Sequence, residues 1–306
     1  MKTLLLGYSK LSKKRIIPFF IKNKIKFSVA SISFKKKING AYNQFGSYEK
    51  GINNSNAKIA YISLPNSKHY YWAKKALSKG YNVIVDKPIC KNIKQLKNLI
   101  KLSTKKKKVI TEATFFNYHN QFNKAVKFVN GINNIKYVNA NFVIPLPKKN
   151  SLLMSKKLSG GSFMDMGPYA AAVPRLFCSG KLINMKSIIV KNKKGLIVSF
   201  SIFCKFKKTS YYGFFCFGGE YKSNLIFISK NKYVELNRVF SPPFDKKLTI
   251  IFKNKNKIRK IKLKKENVFE NFLKKIKNSL NKKKYNDFYK IALDDAKFRE
   301  KILLSN

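Results

Sequence analysis

The sequence predicts an α/β protein. An amino-terminal doubly wound parallel sheet is followed by an α+β domain on an open, largely antiparallel sheet. Three observations carry this. Short apolar runs alternate with helical stretches over residues 3–111; past residue 122 the rhythm gives way to extended runs of alternating polarity; and 306 residues suffice for two ordinary domains, expected at 1–118 and 119–306. With 44% hydrophobic and 14% aromatic residues the chain can bury a core, which excludes disorder as its main state despite a formal charge of +53.

Element by element, residues 3–7 are an apolar run ending in Gly7, followed by a helical stretch at 13–22 and a second strand at 27–32. The run 59–64 stops at Pro65, a helix at 70–78 closes at Gly80, and strands at 81–85 and 109–111 flank a helix at 93–103. Strands alternating with helices imply a parallel sheet covered on both faces. Beyond it come a helix at 122–129, strands at 137–143, 188–190, 196–206, 211–217, 225–229 and 248–252, a helix at 169–177, and terminal helices at 268–280 and 287–303.

The charge invites a nucleic-acid reading, which the residue types oppose. Of 66 basic residues only Arg15, Arg175, Arg238, Arg259 and Arg299 are arginine, the residue favoured for bidentate contacts to bases and phosphates. The lysines run along the whole chain among many Asn, Ile, Phe and Tyr, a pattern of base composition, so no specific nucleic-acid partner is expected. Cys90, Cys178, Cys204 and Cys216 have no CxxC spacing and two histidines exist to join them, so neither a metal site nor a disulfide framework is expected. No leader-like or membrane-spanning run stands out, and a cytoplasmic protein is expected.

Four stretches, with the end of the second strand taken beside the first, could carry chemistry. After the first strand, Gly7-Tyr8-Ser9-Lys10-Leu11-Ser12 stands where a dinucleotide fold places Gly-x-Gly-x-x-Gly, with only the first glycine present; a surface loop and a phosphate turn both stay open on these residues alone. The second strand ends in Ser31 and Ser33, then Lys35, with no acid to bind a ribose 2′-hydroxyl, which tilts a dinucleotide toward NADP. Leu64-Pro65-Asn66-Ser67-Lys68-His69 follows the third strand, where open α/β sheets place ligands; His69 is equally readable as a structural histidine. Asp86-Lys87-Pro88 puts a lysine at a strand's carboxyl end, where desolvation suits it to proton transfer, although a surface lysine is common in such a chain. Lastly, Gly160-Gly161-Ser162-Phe163-Met164-Asp165-Met166-Gly167-Pro168-Tyr169 spaces Asp165 and Tyr169 by four, one face of a helix, with helix capping the alternative role for Asp165.

Taken together, Tyr61 to His69, Gly80 to Ile89, Thr111 to Gln121, Ser159 to Tyr169 and the helical ending resemble the glucose-fructose oxidoreductase / inositol dehydrogenase family, Gfo/Idh/MocA. The resemblance implies a Rossmann domain binding NAD(P), a second domain supporting a sugar site, and a homo-oligomer through its open sheet. It implies Lys87, Asp165 and Tyr169 as catalytic residues, with Tyr169 where many relatives have histidine. Lys87 and Tyr169 would share proton transfer, and Asp165 would hold a neighbouring sugar hydroxyl. The cofactor residues implied are Gly7, Tyr8, Ser9, Leu11, Ser12, Ser31, Ser33, Leu64, Pro65, Asn66, His69, Asp86, Lys87 and Glu112. The expected activity is hydride transfer between nicotinamide and a hydroxyl or keto carbon of a sugar, nucleotide-linked sugar or cyclitol. A silent cofactor-binding relative and a basic polyanion-binding protein are the alternatives.

Overall fold

The computed structural model describes residues 2–34 and 37–306. Lys35 lies outside the described residues. Chain contacts group into two units, one of residues 1–113, 157–159 and 277–293, the other of residues 114–156, 160–276 and 294–306.

The first unit holds six parallel strands in the order β3-β2-β1-β4-β5-β6. Four of them, β1 (Thr3–Leu6), β2 (Phe27–Ala30), β4 (Ile59–Ile62) and β5 (Asn82–Val85), are apolar and almost wholly buried, as strands covered on both faces must be. The last strand is β6 (Ile110–Glu112). The edge strand β3 (Ala41–Phe45) and the short helix α2 (Tyr48–Asn54) were not anticipated. β3 is half exposed and polar, so it lacks the apolar run that marked its neighbours. α2 carries a readable start, because the Ser47 hydroxyl accepts the Lys50 amide at 3.1 Å.

The helices differ from expectation mainly at their ends. The chain is helical from Lys10 to Lys22, with a wide π-type turn at Ser12–Ile16 leading into α1 (Ile17–Lys22). α3 (Asn66–Ser78) begins directly after Pro65, earlier than the apolar spacing indicated. α4 (Ile93–Lys105) is capped by Asn92, whose side-chain oxygen accepts the Gln95 amide at 2.9 Å.

The second unit contains α5 (Gln121–Phe128), β7 (Tyr137–Ile144), α6 (Ser162–Phe177), β8 (Leu182–Lys191), β9 (Ile197–Phe206), β10 (Ser210–Phe217), β11 (Lys222–Ile228), β12 (Lys232–Asn237), β13 (Thr249–Asn254) and β14 (Lys257–Lys262). Its sheet runs β14-β13-β12-β11-β7-β10-β9-β8, antiparallel except for the parallel pair of β10 and β7. Alternation along β9 and β10 buries Phe200, Ile202, Cys204, Tyr211 and Phe215 beneath α6, while Tyr212 and Phe214 face outward. The unanticipated β14, K-I-R-K-I-K, is an exposed lysine-rich edge, a composition that discourages edge-to-edge pairing. The terminal helices are α7 (Val268–Lys282) and α8 (Asn286–Leu304).

Candidate functional site

The parallel register sets a row of residues just beyond the strand ends. Leu6 pairs with Ala30 and Ile62, Ile62 with Val85, and Val85 with Glu112, so Gly7, Ser31, Ser63, Asp86 and Ala113 occupy the next positions. Backbone bonds extend the ladder there: Gly7 donates to Ala30, Ser63 to Leu6, Asp86 to Ile62 and Ala113 to Val85, at 2.8 to 2.9 Å. The strand order reverses direction between β1 and β4, the crevice where open α/β sheets bind ligands.

Gly7 has φ +104°, and a Cβ there would fall into the Ser63 carbonyl and crowd Leu64, so this turn needs glycine. The serines after it are engaged with protein groups. Ser9 Oγ accepts the Ser12 amide at 3.0 Å, capping the first helix, and the fully buried Ser12 hydroxyl donates to the Ser9 carbonyl at 2.8 Å. Ser9 Oγ also lies 2.7 Å from Ser63 Oγ, whose proton goes to Asp86 Oδ2 at 2.6 Å. On its other oxygen Asp86 accepts the Tyr61 hydroxyl at 2.7 Å. Burial pushes the Asp86 carboxyl above its ordinary range, against the bonds from Ser63 and Tyr61 and the charges of His69 and Lys87, which favour the ionised form. Tyr61, buried and bonded to that carboxylate, is pushed well above the usual phenol range.

Lys87 follows at once, half-buried, and a cis bond joins it to Pro88. The next residue is held from β6, where Glu112 Oε2 accepts the Ile89 amide at 2.8 Å. His69, wholly buried in α3, reaches both loops: Nδ1 is 2.7 Å from the Pro88 carbonyl oxygen and Nε2 is 2.8 Å from that of Leu64. Asn66 donates from Nδ2 to the Ser159 carbonyl at 2.9 Å, and the Ser67 amide to the Leu158 carbonyl, which ties residues 157–159 to the start of α3. At the end of β2, Ser31 and Ser33 bond to each other at 3.1 Å. Tyr8 is half-buried beneath the Lys13 ammonium, 4.3 Å from its ring centre, with the Phe34 ring 6.1 Å away; Leu11 lies half-buried in the first helical turn.

Asp165 and Tyr169 belong to the second unit and stand one turn apart on α6, as their spacing implied. The helix starts at Ser162, earlier than expected, because the glycine pair seats it: a Cβ on Gly160 would strike the Leu153 carbonyl, and Gly161 has φ +97° with the Ile197 carbonyl 2.9 Å from its would-be Cβ. Pro174 lacks the N–H that Ala170 would normally receive, and the buried Tyr211 hydroxyl takes its place, donating to the Ala170 carbonyl at 3.2 Å. The Tyr169 ring is boxed by Phe116, Phe142 and Phe240, with ring centres 5.3 to 5.5 Å away.

The residues that sequence reading did not single out are Tyr61 and Ser63. Both lie in the strand run 59–64, and their polarity inside Ile59-Ala60-Tyr61-Ile62-Ser63 is the available signal.

The sequence pattern of an oxidoreductase family with an NAD-binding Rossmann fold, Gfo/Idh/MocA, matches residues 6–114. Over that stretch the chain resembles this family. It is 28% identical over 135 residues to D-xylose 1-dehydrogenase (NADP(+)) 2 of Haloferax volcanii, a match covering 44% of this chain and 42% of that one, so the matched stretch spans less than half of this curated relative. It is 23% identical over 250 residues to a dTDP-3,4-didehydro-2,6-dideoxy-alpha-D-glucose 3-reductase of Streptomyces violaceoruber, covering 78% of this chain and 72% of the relative. In fold the chain superimposes on a 3-ketoreductase from Actinomadura kijaniata, whose crystal structure holds NADP and TDP-benzene. The TM-score is 0.93 at 16% identity, with 100% of this chain and 97% of that one covered. An aldose-aldose oxidoreductase from Caulobacter crescentus gives a TM-score of 0.86 at 14% identity, over 100% and 97% of the two chains.

The residues at the switch point fit a dinucleotide. A glycine-dependent turn leads into a capped helix amino terminus, the arrangement that receives a pyrophosphate. Among the described residues no group of His, Cys, Asp and Glu could hold a metal ion, and no helix is long and apolar enough to cross a membrane.

Proposed function

We propose that this protein is a Gfo/Idh/MocA-type, NAD(P)-dependent oxidoreductase that moves a hydride between nicotinamide and a hydroxyl or keto carbon of a sugar, with a nucleotide-linked sugar the favoured substrate. The observation that carries the reading is the row Gly7, Ser63, Asp86, with Lys87 beside it, spanning the switch point of the parallel sheet. The substrate class rests on the dTDP-sugar reductases whose sequences match over most of this chain. NADP is the cofactor we assign, because β2 is followed by Ser31 and Ser33, which carry no charge to repel a 2′-phosphate. When bound, the nicotinamide supplies the hydride, and the rest of the chemistry falls to the chain. In reduction, Tyr169 O–H gives its proton to the carbonyl oxygen. Asp165, one turn earlier on α6, accepts a bond from an adjacent sugar hydroxyl and fixes the ring. The Lys87 ammonium stabilises charge developing on oxygen. The three phenylalanines around Tyr169 hold its ring, so its hydroxyl is presented with little rotational freedom to lose.

The outward face of the second sheet exposes Ile183, Ile188, Val190, Tyr212 and Phe214, and we assign it to a homo-oligomer contact. The deciding experiment titrates the purified protein with NADPH and NADH at low and high salt, then assays a panel of keto-sugars including dTDP-linked ones. Saturable binding that survives salt, with turnover abolished in Lys87→Ala and Tyr169→Phe, supports the reading. Binding without turnover on any sugar moves the protein to a silent role, and binding that vanishes with salt reduces it to diffuse lysine charge.

A further inference from the structure

The hydroxyl groups between the first helix and Asp86 form a chain with a direction. Each serine hydroxyl has one proton to give and two lone pairs to receive. Ser63 gives its proton to Asp86 Oδ2 at 2.6 Å, so at the 2.7 Å contact with Ser9 it can only accept. Ser9 has one proton for two neighbours, Ser63 Oγ at 2.7 Å and Ser12 Oγ at 3.3 Å, and the shorter contact takes it. Ser12 turns its own proton to the Ser9 carbonyl. With Asp86 ionised, protons therefore point from the helix turn toward the carboxylate, and the Ser9 hydroxyl is committed inward. With Asp86 protonated the order reverses: Asp86 donates to Ser63, Ser63 to Ser9, and the Ser9 proton is released to whatever lies at the turn.

We propose that Ser9, Ser63 and Asp86 are one coupled unit that links the anion-receiving turn after β1 to the segment bearing Lys87, with Ser63 and Asp86 acting as positioning residues and Ser63 as the relay between them. A dinucleotide phosphate oxygen at the turn accepts the Ser9 proton, and this favours the reversed chain with its proton on Asp86. The same chain that seats the cofactor thereby sets the charge next to Lys87. Its roles for the turn and for Lys87 rest on the reading under Proposed function; the coupling of the three residues does not. The titratable groups facing Asp86 are Tyr61 from β4, His69 from α3 and its neighbour Lys87. Burial, which favours the protonated carboxyl, places its titration above the ordinary carboxylate range.

The test is a double-mutant cycle on the full-length protein without cofactor, pairing Ser9→Ala with Asp86→Asn and reading the unfolding equilibrium in urea. These residues share no hydrogen bond, so their effects multiply independently unless Ser63 connects them. We expect the double variant to depart from that product by about three- to tenfold, the departure to vanish in a Ser63→Ala background, and Ser63→Thr to restore it. If Asp86→Asn does not fold, Ser9→Ala with Ser63→Ala forms the cycle. Independent effects overturn the proposal. A second arm measures NADH affinity against pH, NADH having no 2′-phosphate to titrate. Affinity should rise as pH falls toward the Asp86 titration and lose that slope in Asp86→Asn; a slope unchanged in the variant removes Asp86 from the linkage. Should the wild-type protein bind no dinucleotide at all, the functional reading falls, while the cofactor-free cycle still decides whether the three residues are coupled.

Discussion

The buried ring of His69 stands 2.7 Å from the carbonyl oxygen of Pro88, which fastens the peptide after Lys87 to the first turns of α3. Its second nitrogen is 2.8 Å from the Leu64 carbonyl oxygen, so two acceptors face one ring. A neutral imidazole has one N–H and satisfies one of them; the doubly protonated ring satisfies both.

Replacing His69 by Ala removes the ring that the Pro88 and Leu64 carbonyls face and opens a cavity. The expected cost is about 2–4 kcal/mol in urea unfolding, with kcat falling further than the affinity for NADPH, because the freed segment carries Lys87. A variant as stable and as active as the parent would remove His69 from this bracing role.

Tyr211→Phe changes one hydroxyl and leaves the Ala170 carbonyl, whose helical donor Pro174 lacks, without a partner. We expect a loss of about 1–3 kcal/mol, with no matching loss when Tyr212, exposed on the other face, is changed to Phe. Denaturant midpoints for the two variants side by side make the comparison.

Gly161→Ala forces a side chain onto φ +97° and toward the Ile197 carbonyl. Stability should fall by about 1–3 kcal/mol. Since this residue starts the helix that carries Asp165 and Tyr169, turnover should fall more than tenfold while NADPH titrations stay near the parent's; equal loss of both would place the damage elsewhere.

His119 titrates below the ordinary histidine value, because burial disfavours its charged form more than nearby Glu266 favours it. Its Nδ1 accepts the Gln121 amide at 3.1 Å, so the Glu266 oxygen 3.3 Å from the same nitrogen faces a neutral ring. The unfolded chain then binds the proton more readily than the folded one, and stability present above about pH 6.5 is lost as pH falls toward the depressed value. His119→Asn keeps an acceptor and should flatten the stability profile between pH 7 and 5 relative to the parent.

Much of this was legible in the residues. The strands β1, β4 and β5 announced themselves as short apolar runs, and the residue after each, Gly7, Ser63 or Asp86, stands in the row at the strand ends. Edge strands β3 and β14 were silent because an edge carries polar or charged residues where a central strand carries Val or Ile. The apolar spacing marks α6 only over 169–177; the helix runs from Ser162 through Gly167-Pro168, and at Pro174 a tyrosine from β10 supplies the bond that local sequence withholds. Ser63 illustrates the remaining gap. Its importance comes from lying in register between Gly7 and Asp86, and register across a parallel sheet is a long-range fact that no window of sequence contains.

Tyr289 belongs to the same unit as β6, and its hydroxyl donates to the Lys108 carbonyl at 2.8 Å and bonds to Ser103 at 2.7 Å. The nucleotide-fold sheet is thus finished by a residue made long after its last strand. At ~5–20 residues per second of synthesis, the ribosome needs on the order of ten to thirty seconds to travel from β6 to that tyrosine. Through that interval the nascent sheet has its strands but lacks its final brace.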